Sequence, residues 1–181
     1  MITDVSVRFS VLPTLSLTEG ILHCDIIEGA FDSDTFYMFI DRLLDQMQPY
    51  PAPNSVVIMD NCYIHKSEAI LDLIKEQWVL ISIINTHMLK HMTYCSGMCY
   101  EFLPPYSPDF NPIELAFSAM KYHLHQNGKY ICLAMTHLTT NEIYCTLLEA
   151  LFQITLADVF GWYRYCGYVW KPCMHFLISV A

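Results

Sequence analysis

LPPYSPDFNPIE, Leu103 to Glu114, and VVIMDN, Val56 to Asn61, are the stretches whose reading decides the fold. Ser55 to Met59 reads as a short strand buried on both faces, the kind found in parallel sheets, and it delivers Asp60 at its C-terminal edge. Beyond the proline-rich loop of Pro104, Pro105 and Pro108, Asn111 reads as a helix N-cap, with Pro112 at the first helical position and Glu114 two further on. Each stretch therefore sets a carboxylate at the end of a regular element. Such ends hold a ligand in place while leaving room for substrate, which is what a carboxylate-bound metal needs. Asp60 and Glu114 are the candidate metal ligands. Taken alone, each also has a structural reading: Asp60-Asn61 as a strand-ending turn, and Glu114 as the acidic member of a capping box.

Outward from these stretches, Val5, Val7, Phe9 and Val11 alternate with polar residues, and Leu22, Cys24 and Ile26 alternate again after Thr18-Glu19-Gly20. That is the pattern of a hairpin. Ser33 is placed to cap a helix carrying Phe36, Phe39, Ile40, Leu43, Leu44 and Met47 at helical spacing, which stops at Pro49, Pro51 and Pro53. A second helix is expected from about Ser67 to Trp78. After Pro112, the residues Ile113, Ala116, Phe117, Met120 and Leu124 form an apolar stripe, and a last helical region over Thr140 to Tyr165 carries Ile143, Leu147, Leu148, Leu151 and Ile154. Strands and helices in this order predict an α/β layer.

A chain of 181 residues suits one domain with a real core. At 54% hydrophobic and 14% aromatic it is richer in apolar residues than most domains, so part of its surface is expected to meet a partner. No apolar run reaches the roughly 18 residues of a membrane span, and the opening MITDVSVRF lacks the basic and apolar regions of a signal peptide. Neither a membrane nor a small-molecule substrate is expected. Eight cysteines without framework spacing read as free thiols of a reducing compartment. Nine Lys and Arg against eighteen Asp and Glu give a net charge of −9, whereas a protein that grips duplex DNA by itself needs a basic face.

The DN at Asp60-Asn61 and the PYSPDFNPIE helix start resemble the DDE transposases of the mariner-like superfamily. Further family-like strings are RFSVLPTLSLTEGIL, DIIEGAFDSDTFYMFIDRLLDQM, His65 shortly after DN, and GWYRYCGYVW, so the resemblance runs from about Val7 to Trp170. It implies a ribonuclease-H-like (integrase-type) α/β fold over residues 1–170. It also implies DNA transposition and integration at transposon ends and target DNA, a nuclear setting and possible homo-oligomers. The implied chemistry is phosphodiester transfer with two Mg²⁺ or Mn²⁺ ions about 4 Å apart. Asp60 and Glu114 would be catalytic, with Asn61, His65 and Asn111 positioning carboxylates or substrate.

Two departures from the family follow. In that fold the first catalytic Asp lies on a central first strand upstream of the hairpin, and this chain reads as beginning at the second strand. Asp4 lacks an apolar strand around it and Asp25 lies within the hairpin, so no first acidic residue is assigned. The domain is thus expected to be truncated at its N-terminus, to lack its first strand, and to be inactive as given. Further, Asp60 and Glu114 are 54 positions apart, against roughly 34 to 36 set by one helix and one short strand in the family. Removing Val79 to Ser96, eighteen residues, leaves 36 and joins a helix, a glycine stop and a strand. Residues 79–96 therefore read as an insertion or retained intron. The tail 171–181, KPCMHFLISVA, has no reading.

Two other functions compete with the transposase. One is a non-catalytic transposon-derived remnant or interaction protein. The other is a zinc module built on His87, His91, Cys95 and Cys99, though four ligands spread along about 18 Å of helix do not surround one ion without a bend. The chain contains no GxSxG elbow and no glycine-rich phosphate loop.

Overall fold

A computed structural model describes residues 8–48, 52–75, 99–126, 128, 138–168 and 177–180. Its centre is a five-stranded mixed sheet in the order β2-β1-β5-β3-β4. The strands are β1 (Phe9–Ser16), β2 (Gly20–Glu28), β3 (Val56–Met59), β4 (Cys99–Phe102) and β5 (Leu177–Val180). β1 and β2 form the expected antiparallel hairpin, with Gly20 at φ +83° supplying the left-handed turn residue. A bulge interrupts the ladder where Thr14 and Leu15 face His23 and Ile21, so Leu22 is the extra residue. That shift explains why Leu22 packs against the opposite core from Ile21, Cys24 and Ile26. β3 runs parallel to both β4 and β5, and β5 is antiparallel to β1.

Helices cover both faces, giving three layers. On one face lie α1 (Ser33–Leu44) and α2, described over 68–75. Phe36, Phe39, Ile40, Leu43, Ile70 and Ile74 from these helices are buried against Leu12, Val57 and Met59. On the other face α3 (Pro112–Gln126), α4 (Thr140–Leu151) and α5 (Leu156–Tyr165) close over Leu15 and Leu17. Each face buries an apolar area that, at about 25 cal/mol per Å², dominates the favourable side of folding. The apolar run of β3 is explained by this arrangement, since Val57, Ile58 and Met59 are all at most 3% exposed.

Several expectations are corrected. Asp32, rather than Ser33, caps α1, forming a reciprocal box with Thr35. The region from Thr140 to Tyr165 is two helices bent by 65°, because Thr155 and Asp158 form a fresh capping box that starts a new helix. β1 runs beyond Val11, with pairs from Phe9 to Ser16, while Val5 and Val7 of the expected alternation lie outside the described residues. Part of the 171–181 tail, which had no reading, has a place in the sheet, since β5 lies between β1 and β3. The start of the expected second helix is present, while 76–78, the 79–96 segment and three of the four residues of the His/Cys ladder lie outside the described residues. Among the described residues no single helix is long and apolar enough to cross a membrane.

A buried polar knot ties the hairpin to the entry of β3. Asn54, at φ +56°, accepts from the Ser16 hydroxyl at 2.7 Å and donates to Glu19 at 2.6 Å. Ser16 Oγ in turn accepts from the backbone N–H groups of Thr18 and Glu19. Because the left-handed region is open to Asn at little cost, this residue satisfies both the turn and the knot. It fixes the start of β3, and hence the position at which β3 ends.

Candidate active site

β3 ends at Met59, and its ladder is prolonged by a Leu103 N–H to Met59 carbonyl bond of 2.9 Å. The C-terminal edges of two parallel strands therefore open side by side, where α/β sheets usually bind ligands. The chain turns sharply after β3: Asp60 Oδ1 accepts the Cys62 N–H at 2.8 Å, and a 3₁₀ turn over Tyr63–Lys66 follows. That turn brings His65 back beneath Asp60. The imidazole is 3% exposed, stacks on Phe36 with centroids 4.3 Å apart, and holds Nδ1 2.7 Å from Asp60 Oδ1. The contact is short but off the line of an ideal hydrogen bond, since Nδ1 meets no aligned acceptor. A small rotation of the half-exposed carboxylate would align it.

The second wall comes from the proline-rich loop. Tyr106 sits at φ +57°, a conformation that costs a non-glycine residue about 1–2 kcal/mol, and its ring is fully exposed. A short 3₁₀ turn, Pro108–Phe110, leads into Asn111, which is buried, accepts the Ile113 N–H at 3.3 Å on Oδ1, and so caps α3. Tyr168 Oη, beyond α5, donates to the Phe110 carbonyl at 3.0 Å and braces this loop from behind. Burial pushes the Tyr168 hydroxyl up to about 12, so it stays a donor at any physiological pH.

Between the walls is a cleft of about 390 Å³ whose lining includes Asp60, Asn61, Asn111 and Glu114. The structure thus brings together four of the five residues singled out in the sequence, with the fifth, His65, directly behind Asp60. The structural reading of Asp60 is realised too, since its carboxylate closes the turn through Cys62. For Glu114 it is not. The Asn111 N–H that a capping box would use is bonded to the Pro108 carbonyl at 2.9 Å, which leaves the exposed Glu114 carboxylate to the cleft. Asp25 is elsewhere, paired with Arg42 at 2.5 Å and His23 at 3.5 Å on the hairpin.

The His65 imidazole beside Asp60 holds its carboxyl below the ordinary carboxylate range, aided by the Cys62 N–H and opposed by partial burial. A carboxylate with a depressed pKa stabilises the fold above its unfolded pKa, near 3.9, and loses that contribution as pH falls through the folded value. In metal-free His65→Ala protein, the Asp60 carboxyl is expected to titrate upward towards the ordinary range. Carbon-detected NMR titration reads this directly, and an unchanged midpoint would show that the Cys62 N–H alone sets it.

Hard oxygen donors suit Mg²⁺ or Mn²⁺. The Asp60 Oδ1 atom faces His65 and Cys62, Oδ2 has no hydrogen-bond partner among the described residues, and Glu114 contributes a second carboxylate. This set fits one ion that keeps several of its waters. A third His, Cys, Asp or Glu does not join these two: among the described residues no group of three could hold a metal. What the sequence did not reveal is the support. Phe36 under His65, the Cys62 amide and the strained Tyr106 turn carry no motif, and only the positive φ of a tyrosine could have drawn notice.

The family of DDE superfamily endonucleases matches residues 6–136, more than half of the chain and including both walls of the cleft. The chain belongs to the DDE superfamily endonucleases. A comparison with curated proteins and one with solved structures each returned no match. The three-layer arrangement of this DDE domain is consistent with the ribonuclease-H-like α/β fold that the family implies, and the family implies DNA as the substrate.

Proposed function

We propose that this DDE domain is of the mariner-like transposase type, that it binds DNA and a divalent cation at the cleft between Asp60 and Glu114, and that it cleaves poorly or not at all as it stands. The observation that carries the reading is the cleft itself, lined by Asp60 at the end of β3 and by Glu114 in the first turn of α3, both within the family-matched span. A bound cation would supply Lewis-acid polarisation of a phosphoryl oxygen. The chain's own part is preparation: His65 and the Cys62 amide fix the Asp60 carboxylate, the Asn111 cap fixes the first turn of α3, and Glu114 is left without structural duty. The absence of a third acidic neighbour among the described residues supports weak, single-ion binding rather than the two-ion chemistry of an intact site.

The net charge of −9 supports a second element of the proposal, that DNA recognition depends on a partner surface: another basic domain or another protein in the nucleus. A non-catalytic interaction protein that retains the scaffold is the alternative, favoured by the same missing acidic neighbour.

Mn²⁺ titration monitored by electron paramagnetic resonance tests the site. The wild-type chain is expected to bind weakly, and Asp60→Asn and Glu114→Gln are each expected to lower the affinity by roughly tenfold or more. Binding unaffected by either substitution would remove the cleft from consideration. Supercoiled plasmid with Mn²⁺ should stay intact, whereas efficient nicking abolished by Asp60→Asn would overturn the proposed deficiency.

A further inference from the structure

Among the described residues two that are not glycine have a positive φ, and the fold gains different things from them. Asn54 is of a type that visits the left-handed region at small cost, and its side chain closes the buried knot with Ser16 and Glu19. Tyr106 has neither property. Its φ is +57° and its relative exposure is 102%, so the ring buries no surface to offset the strain. The turn is held instead by its neighbours: Pro105 and Pro108 fix their own φ, and the Ser107 hydroxyl donates to the Pro105 carbonyl at 3.3 Å. Glycine or asparagine would suit this backbone better, so packing does not account for a tyrosine here. The residue does, however, line the cleft, on the wall opposite Asp60. Tyr63, 87% exposed, directly follows Cys62 on the Asp60 wall, so each wall carries an exposed phenol.

We propose that Tyr106 is a stacking platform for an unpaired base of the DNA strand that enters this cleft, with Tyr63 as a second platform, so that the strand accepted is single or locally melted and not duplex. The inference rests on the reading of the cleft as a DNA site and adds which form of DNA it takes. Charge and size both favour it. The cleft presents the carboxylates of Asp60 and Glu114, and the chain carries −9, so phosphate contacts supply little of the grip. A base face is uncharged and stacks on an aromatic ring whatever the sequence, whereas in a duplex those faces are already stacked on one another. The volume, about 390 Å³, is that of a small-ligand pocket, enough for a nucleotide and far short of a duplex. Lys66, whose ammonium lies 5.9 Å over the ring of Phe102 just before Leu103 of the lining, supplies a cation for one phosphate at this rim.

The test is the emission of a short DNA strand containing 2-aminopurine, titrated with the full chain in EDTA at low salt. Wild-type protein should quench the emission by stacking and bind the strand at least about tenfold more tightly than the same sequence as a duplex. Tyr106→Gly should weaken strand binding by about tenfold or more and abolish the quenching, while Tyr106→Trp, which restores an aromatic face, should retain both. Because the ring packs against nothing, Tyr106→Gly should melt within about 2 °C of wild type. Equal strand binding by wild type and Tyr106→Gly, absence of quenching, or a fall of about 5 °C or more in melting temperature would each overturn the proposal. Mn²⁺ binding, measured separately, keeps the two readings apart. Retained Mn²⁺ binding beside any of those results leaves the cation site standing without the platform, and loss of strand binding on Tyr106→Gly in a chain that binds no Mn²⁺ leaves the platform standing without the cation site.

Discussion

Ser179→Asp should convert a weak cation site into a tight one, raising Mn²⁺ affinity by one to two orders of magnitude and bringing on metal-dependent plasmid nicking. Position 179 is the register partner of Ile58, and Ile58 stands two residues before Asp60. By the two-residue period of a strand, positions 179, 58 and 60 share one face of the sheet, and neighbouring strands are about 4.8 Å apart. Its register partners Leu15 and Ile58 are 0% and 3% exposed, so in metal-free protein a charge introduced at this position should lower stability by a few kcal/mol. Cation binding should return that loss: ligand at 100 times its Kd stabilises by about 2.7 kcal/mol. The signature is therefore a melting temperature that Mn²⁺ raises in Ser179→Asp and hardly moves in the wild type. A folded variant indifferent to Mn²⁺ would place position 179 out of reach of the cleft.

Phe36→Ala should cost about 3–5 kcal/mol, a large share of the 5–15 kcal/mol that holds a typical domain together. The ring is 0% exposed and packs against Phe39 at a centroid distance of 6.0 Å, within the core made with Leu12, Val57 and Met59. For a chain of this size each kcal/mol is worth about 2–4 °C of melting temperature. The substitution also removes the surface on which His65 stacks, so the Asp60 carboxyl should lose part of its depression and titrate higher. Denaturant unfolding and the NMR titration of Asp60 read the two effects separately. A loss under about 1 kcal/mol would mean that the cavity collapses around neighbouring side chains.

What the sequence made legible was the part governed by local rules. The strand before Asp60, the Asn111-Pro112 helix start and the Thr18-Glu19-Gly20 turn follow from apolar runs, capping preference and glycine's conformational range, and each occurs where expected. Legibility failed where the deciding contact was distant. Nothing within LISV says whether it is a tail or a sheet strand, since its partners lie more than 100 residues away at Val56 and Thr14. His65 as the neighbour of Asp60 was one of two open readings, and the 3₁₀ turn that selects between them is stabilised by Phe36 from another element. The split of Thr140–Tyr165 is by contrast a local signal, because Thr155-x-x-Asp158 is a capping box.

The cap of α3 also bears on how this protein can change over time. Asn111 and Pro108 settle the helix start between them, so Glu114 carries none of the cost of folding. In a library screened only for soluble expression, position 114 should accept nearly any residue, while Asn111 and Ile113 should resist replacement. Loss of the second carboxylate would then leave no trace in yield or melting behaviour. A lineage of this domain could drift from enzyme to scaffold through that single position without ever passing through an unstable form.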